Sequence, residues 1–455
     1  MKQVKTLITN ATIVNEGRIF VGSVLVEADR ITRVVPGNGV DLLVANADAE
    51  VIDATNMLLL PGVIDTHVHF RDGGLSDNSA GTFFTESRAA LAGGVTSVID
   101  MPNTMPPTLD IEALERKEAL AQRDSVVNYG FMLGATNTNV DALLQLPPTR
   151  YAAIKVFLGS STGNLLMSDG GAIDRLFRES KKLIVAHCEQ ENVVQANMKN
   201  YRAQFAGTED ETAALHPKIR NAEACFLSSY HAVERARRYG TRLHIAHLTT
   251  ATELSLLSNF GVADKNITAE VTPNHLWFDD TDYASLGNLI KCNPAIKTPA
   301  DRTALWAALA DGLIDTIATD HAPHTLEAKQ KTYFEAPSGI PSIQHSLQMM
   351  LEGVYNPLVK DNVELREKWL PLIVEKMCHN PSVIFGIKDR GFVREGYYAD
   401  LALVRTGCEH VVARHELLSK CGWSPIEGQV LHTEIERVFV NGQQKCTAQR
   451  LEFER

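Results

Sequence analysis

From about residue 61 to 390 the sequence repeats one pattern: a short apolar run, then a stretch of helical period. GVIDTHVHF is followed by FTESRAALAGG, TSVIDMPN by LDIEALERKEALAQR, and AAIKVFLGS by IDRLFRESKK. LIVAHCE, LHIAHLTT, ITAEVTP and DTIATDHAP continue the series, with helical segments such as NAEACFLSSYHAVERARRYG between several of them. Repeated β–α units in this number imply a parallel sheet, most economically an α/β fold closed into a (β/α)8 barrel of the TIM type. An open doubly wound sheet is the alternative, but no G-x-G-x-x-G follows the first strand.

The two ends of the chain have a different texture. Residues 1–60 read as short strands (TLITNATIV, GRIFVGSVLVEA, RITRVVP, AEVIDA) broken by Gly, Asn and Asp, and GFVREGYYADLALVR and TEIERVFVNGQQ repeat it near the end. We therefore expect segments 1–60 and 391–455 to form one small β-sandwich beside a barrel of residues 61–390. A chain of 455 residues suits a large barrel plus such an accessory domain. The net charge of −11, with no basic run, argues against nucleic acid or an anionic membrane as partner. The start, MKQVKTLITNATIV, lacks the features of a signal peptide, and no apolar segment is long enough to span a bilayer, so a cytoplasmic location is expected. Seven scattered cysteines (188, 225, 292, 378, 408, 421 and 446) fit reduced thiols better than a disulfide framework.

Polar residues fall at the C-terminal ends of the apolar runs, which in such a barrel is the catalytic face. His67 and His69, two apart on one strand, share a side and point into the barrel mouth. Two imidazoles there are costly unless a metal ion takes them. Other runs end in His187, His247 and Asp320. Nitrogen and oxygen ligands without thiolate favour Zn²⁺, with Mn²⁺, Co²⁺ or Fe²⁺ as alternatives. Lys155, inside AAIKVFLGS, is expensive as a buried ammonium. Its plain reading is a side chain that reaches solvent; the sharper one is an amine that has reacted with CO₂ to give a carbamate able to bridge two metals.

In this order, HVHFR, GGVTSVIDMPNT, IKVFLGSSTG, VAHCEQ, LHIAHLTT and ATDHAPHT resemble the amidohydrolase superfamily, and within it the dihydroorotases. The ends, notably VREGYYADLALV, resemble the flanking β-domain that dihydroorotases share with hydantoinases and allantoinases. The resemblance implies a reversible cyclisation of N-carbamoyl-L-aspartate to L-dihydroorotate in pyrimidine biosynthesis. It implies two Zn²⁺ per chain, bridged by N6-carboxylated Lys155 and a hydroxide. His67 and His69 would hold one ion and His187 and His247 the other. Asp320 would touch the first metal and act as acid and base. Arg71, Asn103 and His324 would grip the substrate carboxylate, with Asn293 as a further contact. The partner expected is a small molecule, and a homo-oligomer is compatible with the reading.

The match departs from the family in DGGLSDN, where many relatives have Glu-Pro-Gly, in Lys297 for a common arginine, and in Asn274 for a frequent histidine. Asp169 is a rival bridge, since some relatives carry aspartate in place of the lysine. His244 is expected in the core. His216, Arg220 and Glu223 form a helix-start cluster with a structural or a substrate-proximal role. His275 and His321 are expected to orient ligands. His231, His345, His379, His410, His415 and His432 read as surface or core. A hydantoinase or dihydropyrimidinase would leave Arg71 without an anion, and allantoinase-like relatives usually have asparagine at its position. An inactive scaffold for a transcarbamoylase would have lost metal ligands, and none is lost.

Overall fold

The computed structural model describes residues 5–73, 80–159, 165–447 and 450–451. Parts of two segments singled out above, DGGLSDN and IKVFLGSSTG, lie outside them.

Eight parallel strands close into a barrel. Val63–Val68, Val95–Asp100 and Asn128–Phe131 pair in sequence. The third strand resumes at Leu133–Gly134 and passes the ladder to Ile154–Phe157, Ile184–His187, Leu243–Ile245, Ile267–Val271 and Thr316–Ile317. A parallel bridge between Val68 and His321 completes the ring, and the His69 N–H donates to the His321 carbonyl at 2.7 Å. Val63–Val68 and Val95–Asp100 are buried along their whole length, as strands covered by helices outside and side-chain layers inside must be.

The expected helices form where their caps allow. Thr82 caps Phe83–Ala92, Asp110 caps Ile111–Asp124, and Asp169 caps Gly170–Glu179. Each cap oxygen accepts an N–H that the first turn leaves without a partner. Ala222–Tyr239 starts on Asn221 and stops at Gly240, whose φ of 69° is the left-handed turn that glycine adopts without a Cβ penalty. Ser346–Tyr355, Val363–Val374 and Asn380–Phe385 are helices that follow the last barrel strand.

The two ends of the chain meet in one mixed sheet. Leu401–Val411 pairs antiparallel with Met57–Pro61 and with Val430–Val440, while Lys5–Asn15 pairs with Arg18–Glu27, Glu50–Asp53 and Met57–Pro61. Its two faces follow the period of two. Leu59, Leu401 and Leu403 join a core of the sheet's own with Ile8, Val24 and Phe439. Leu58, Leu60 and Val404, one residue out of step, pack into the barrel core. The architecture is a TIM-type barrel joined to a β-sandwich unit. No helix of the described residues is long and apolar enough to cross a membrane.

Candidate functional site

At the C-terminal ends of the strands, His67, His69, Arg71, Asn103, Lys155, Phe157, His187, His247, Asn293, Asp320, Ala322, Ser338 and Gly339 line a cavity of about 30 Å³. The sequence-predicted metal ligands all reach it, as do Arg71, Asn103 and Asn293. His324 stands at its edge, with Nε2 3.3 Å from the Arg71 guanidinium.

The tautomers can be read from the partners. His67 Nδ1 lies 2.6 Å from a carboxylate oxygen of Glu270 and His69 Nδ1 2.6 Å from the amide oxygen of Asn103. Both partners accept only, so each Nδ1 carries the proton. The Nε2 atoms are then left facing Asp320 Oδ1 at 3.2 and 3.0 Å. Burial drives the His69 pKa down to about 3, against the opposing pull of Asp320, so its ring is a neutral imidazole. A bare imidazole lone pair against a carboxylate is repulsive, and a cation between them turns the contact favourable. The three donor atoms lie within 4.8 Å of one another, which suits a divalent ion.

A second pair faces the first. His187 donates Nε2–H to Glu189 at 3.0 Å, which leaves Nδ1 bare toward His247 Nε2 at 3.0 Å. Burial lowers both histidines, His247 well below the ordinary range. Burial would raise Glu189, but the Arg220 guanidinium together with His187 and Lys297 outweighs it and brings the carboxyl down to about 2. Lys155 is fully buried, and its Nζ has no hydrogen-bond partner among the described residues. Its charge would act on His187, His247 and Asp320 alike, so it sits within reach of both halves. Burial lowers it to about 8, against the pull of Glu270 and Asp320. An orphaned buried amine among two histidine pairs is the donor set that a carboxylated lysine shared by two metals would complete.

The backbone at this rim is unusual. Arg71, His247 and Asp320 have φ of 66°, 37° and 49°, the left-handed region that non-glycine residues seldom adopt. Each has passed the end of its strand, and the turn aims its side chain inward. This corrects one expectation: the strand stops at Val68, so His69, expected on one strand with His67, lies just past its end, and Arg71 lies two residues further on.

Other expectations are corrected too. His275 bonds Thr272 Oγ1 and the Pro294 carbonyl, and His321 bonds Glu86 and the N–H of Ser342, so the side chain of neither orients a ligand histidine. Their buried rings are taken up by loop contacts instead. Asp169 is exposed and occupied as a helix cap, far from a bridging role. Of the helix-start cluster, Arg220 holds Glu189, His216 bonds Tyr333 and the Cys292 carbonyl, and Glu223 is exposed. His244 lies in the core against Thr268. None of His231, His345, His379, His410, His415 and His432 lines the cavity. Lys297 and Asn274, the departures from the family pattern, are buried outside it. None of the seven cysteines forms a disulfide.

Glu270 and Glu189 are functional neighbours that the sequence reading missed. Glu270 Oε1 accepts from His67 Nδ1 and from the His247 backbone N–H at 3.1 Å, touching both halves of the site. The signal was an acid in the middle of the apolar strand ITAEV, where an unpaired carboxylate would be untenable.

A TIM-type barrel carrying paired histidines, an aspartate and a buried lysine at its C-terminal rim has the residues to hold a metal in the manner of a hydrolase. The comparisons agree: the model of the amidohydrolase family matches residues 58–445, and the chain belongs to that family. It is similar to a dihydroorotase of Halobacterium salinarum, 33% identical over 403 residues, covering 87% of this chain and 88% of that protein. A dihydroorotase of Pediococcus pentosaceus is 31% identical over 444 residues, 96% of this chain and 98% of the relative. Among solved structures, L-hydantoinase (dihydropyrimidinase) from Arthrobacter aurescens matches with a TM-score of 0.89 at 24% identity, covering 99% of this chain and 97% of that one. D-hydantoinase (dihydropyrimidinase) from Thermus sp. matches with a TM-score of 0.84 at 22% identity, over 99% and 97% of the two chains. The protein is an enzyme that stands with the hydrolases of cyclic amides.

Proposed function

We propose that the enzyme is a cytoplasmic dihydroorotase that interconverts N-carbamoyl-L-aspartate and L-dihydroorotate using two zinc ions. The observation that carries this reading is Arg71. Its guanidinium lines the cavity, its buried Nε has no hydrogen-bond partner, and no carboxylate of the described residues forms an ion pair with it. A cation so placed asks for an anion from the ligand, and the dihydroorotate ring carries a carboxylate where hydantoin and dihydrouracil carry none. The dihydroorotase relatives support the same choice.

His67, His69 and Asp320 would hold one ion and His187 and His247 the other, with carboxylated Lys155 between them. Bound there, the metals supply Lewis acidity, lowering the pKa of water and polarising the amide carbonyl. Carboxylation is chemically balanced: the neutral Lys155 amine forms the N–C bond to CO₂ and releases one proton. Burial already favours the neutral amine. For Asp320, burial pushes the carboxyl up, but positive charge on the side of His67 and His69, such as a cation held between them would supply, keeps it below the usual range. It is therefore a carboxylate, able to take a proton from water and pass it to the leaving nitrogen in ring opening. In the reverse direction it removes a proton from the ureido nitrogen. Arg71, with Asn103 and Asn293 beside it, holds the ring by its carboxylate.

Two measurements test this proposal. Protein purified without chelator should contain two divalent metals per chain, and chelation should abolish turnover; a fully active metal-free preparation would sink the mechanism. Arg71→Met should lower kcat/KM for dihydroorotate by about 2–5 kcal/mol, since a partly desolvated anion loses its charge-assisted partner. Dihydrouracil, without the carboxylate, should be turned over poorly by the wild type and no worse by the variant. A wild type that prefers dihydrouracil or hydantoin, with a ratio indifferent to Arg71, would place the enzyme with the hydantoinases.

A further inference from the structure

The lysines and arginines of the described interior divide sharply. Lys117, Arg220, Lys265 and Lys376 each pair with a carboxylate, on Asp100, Glu189, Asp315 and Glu375. Lys291, Lys297 and Lys329, apart from the carboxylation site Lys155, are as deeply buried but form no ion pair among the described residues. Lys291 and Lys329 meet the Ser338–Gly339 wall of the catalytic cavity: the Lys291 carbonyl accepts from the Gly339 N–H and from Lys329 Nζ, which also donates to the Gly339 carbonyl. A buried lysine without a counter-charge is costly, so its place there calls for a reason.

Lys329 shows the most specific arrangement. An ammonium has three donors, and all three are committed, to the carbonyls of Lys291, Pro337 and Gly339 at 3.0, 3.1 and 2.9 Å. The Gly339 N–H also donates to the Lys291 carbonyl, at 2.9 Å. Two of these carbonyls bracket Ser338, whose own carbonyl lies 2.9 Å from His324 Nε2. His324 adjoins Arg71. The wall leaves no slack: a Cβ on Gly339 would stand 2.4 Å from the Ala322 carbonyl and within 2.9 Å of the His324 ring, at a φ of 146°.

We infer that Lys329 is a positioning residue for anion recognition. Its Nζ, bonded to three carbonyls, clamps the Pro337–Gly339 wall against His324 and Arg71. Selectivity for a ring bearing a carboxylate then depends on a lysine that the ligand never touches. The inference rests on the dihydroorotase reading and adds to it a residue that the site geometry alone did not assign.

The test compares dihydroorotate with dihydrouracil on the metal-loaded Lys329→Met enzyme. For the acidic ring KM should rise about tenfold with kcat nearly unchanged, because the wall that seats the carboxylate beside Arg71 loses its clamp while the groups that move protons stay in place. Turnover of the neutral ring should stay within about twofold of the wild type, and the specificity ratio should fall about tenfold. Equal losses on both rings, or an unchanged ratio in a folded variant, would overturn the inference. Gly339→Ala offers a second route should Lys329→Met not fold: it displaces the same wall while keeping the ammonium, and should also damage the acidic ring selectively. If Gly339→Ala spares the ratio, the clamp has no part in recognition. A wild type without any preference for the acidic ring would instead overturn the substrate assignment itself, whatever the variants do.

Discussion

Asp320→Asn should lower kcat by a factor of about 10²–10⁴, the usual worth of a positioned general acid or base, with a much smaller change in KM. Asparagine keeps the size of the side chain and tolerates the left-handed backbone at this position, so the substitution adds little strain. What it removes is the carboxylate charge facing His67 and His69 and the oxygen basic enough to accept a proton. The loss belongs to the transition state because the proton moves only there. Steady-state kinetics on the metal-loaded variant, with metal content measured on the same sample, separate the two consequences. Full metal occupancy with kcat intact and only KM raised would make Asp320 a binding residue and nothing more.

Lys155→Ala should cost more than activity. A group that merely orients a metal ligand is worth about 10–100-fold in metal affinity, and a bridge shared by two ions should be worth at least that. Metal per chain should therefore fall on dialysis where the wild type holds its ions, with turnover lost alongside. The cavity left by the lysine is buried and lined by the same histidines. A short carboxylic acid in the buffer can enter it and replace the carbamate oxygens, so acetate or propionate should restore part of both metal and rate. Wild-type metal content and activity in Lys155→Ala would refute the bridge. Asp169 could not take it over, since its side chain is an exposed helix cap.

The same buried lysine shows how far the sequence reaches. A lone Lys in AAIKVFLGS is legible as an anomaly because strand period and apolar neighbours are local properties. The histidines and Asp320 are legible for the same reason, each a polar residue closing an apolar run. Arg71 was recognised as an anion holder, but its aim was not, because a strand that stops at Val68 and a φ of 66° are settled by the packing of the rim. Glu270 went unread although it touches both halves of the site, since its partners are 203 residues away at His67 and 23 at His247. His275 and His321 failed for the converse reason: they neighbour important residues in sequence, yet their rings turn to Thr272 and Glu86.

By itself, then, the sequence determined the repeated β–α units, the strands at both ends of the chain and the residue types available for metal chemistry. Those follow from hydrophobic period and turn composition, which act over a few residues. Tertiary structure decided which of the polar residues meet. Ring closure between Val68 and His321 brings Asp320 to within 3.2 Å of His67 and 3.0 Å of His69, across some 250 residues of chain. Long-range packing likewise set Lys329 behind the Ser338–Gly339 wall, with carbonyls and no carboxylate as its partners among the described residues. Contacts of that kind depend on long-range packing and on the balance between desolvation and the few partners within reach, quantities that no local pattern of residues encodes.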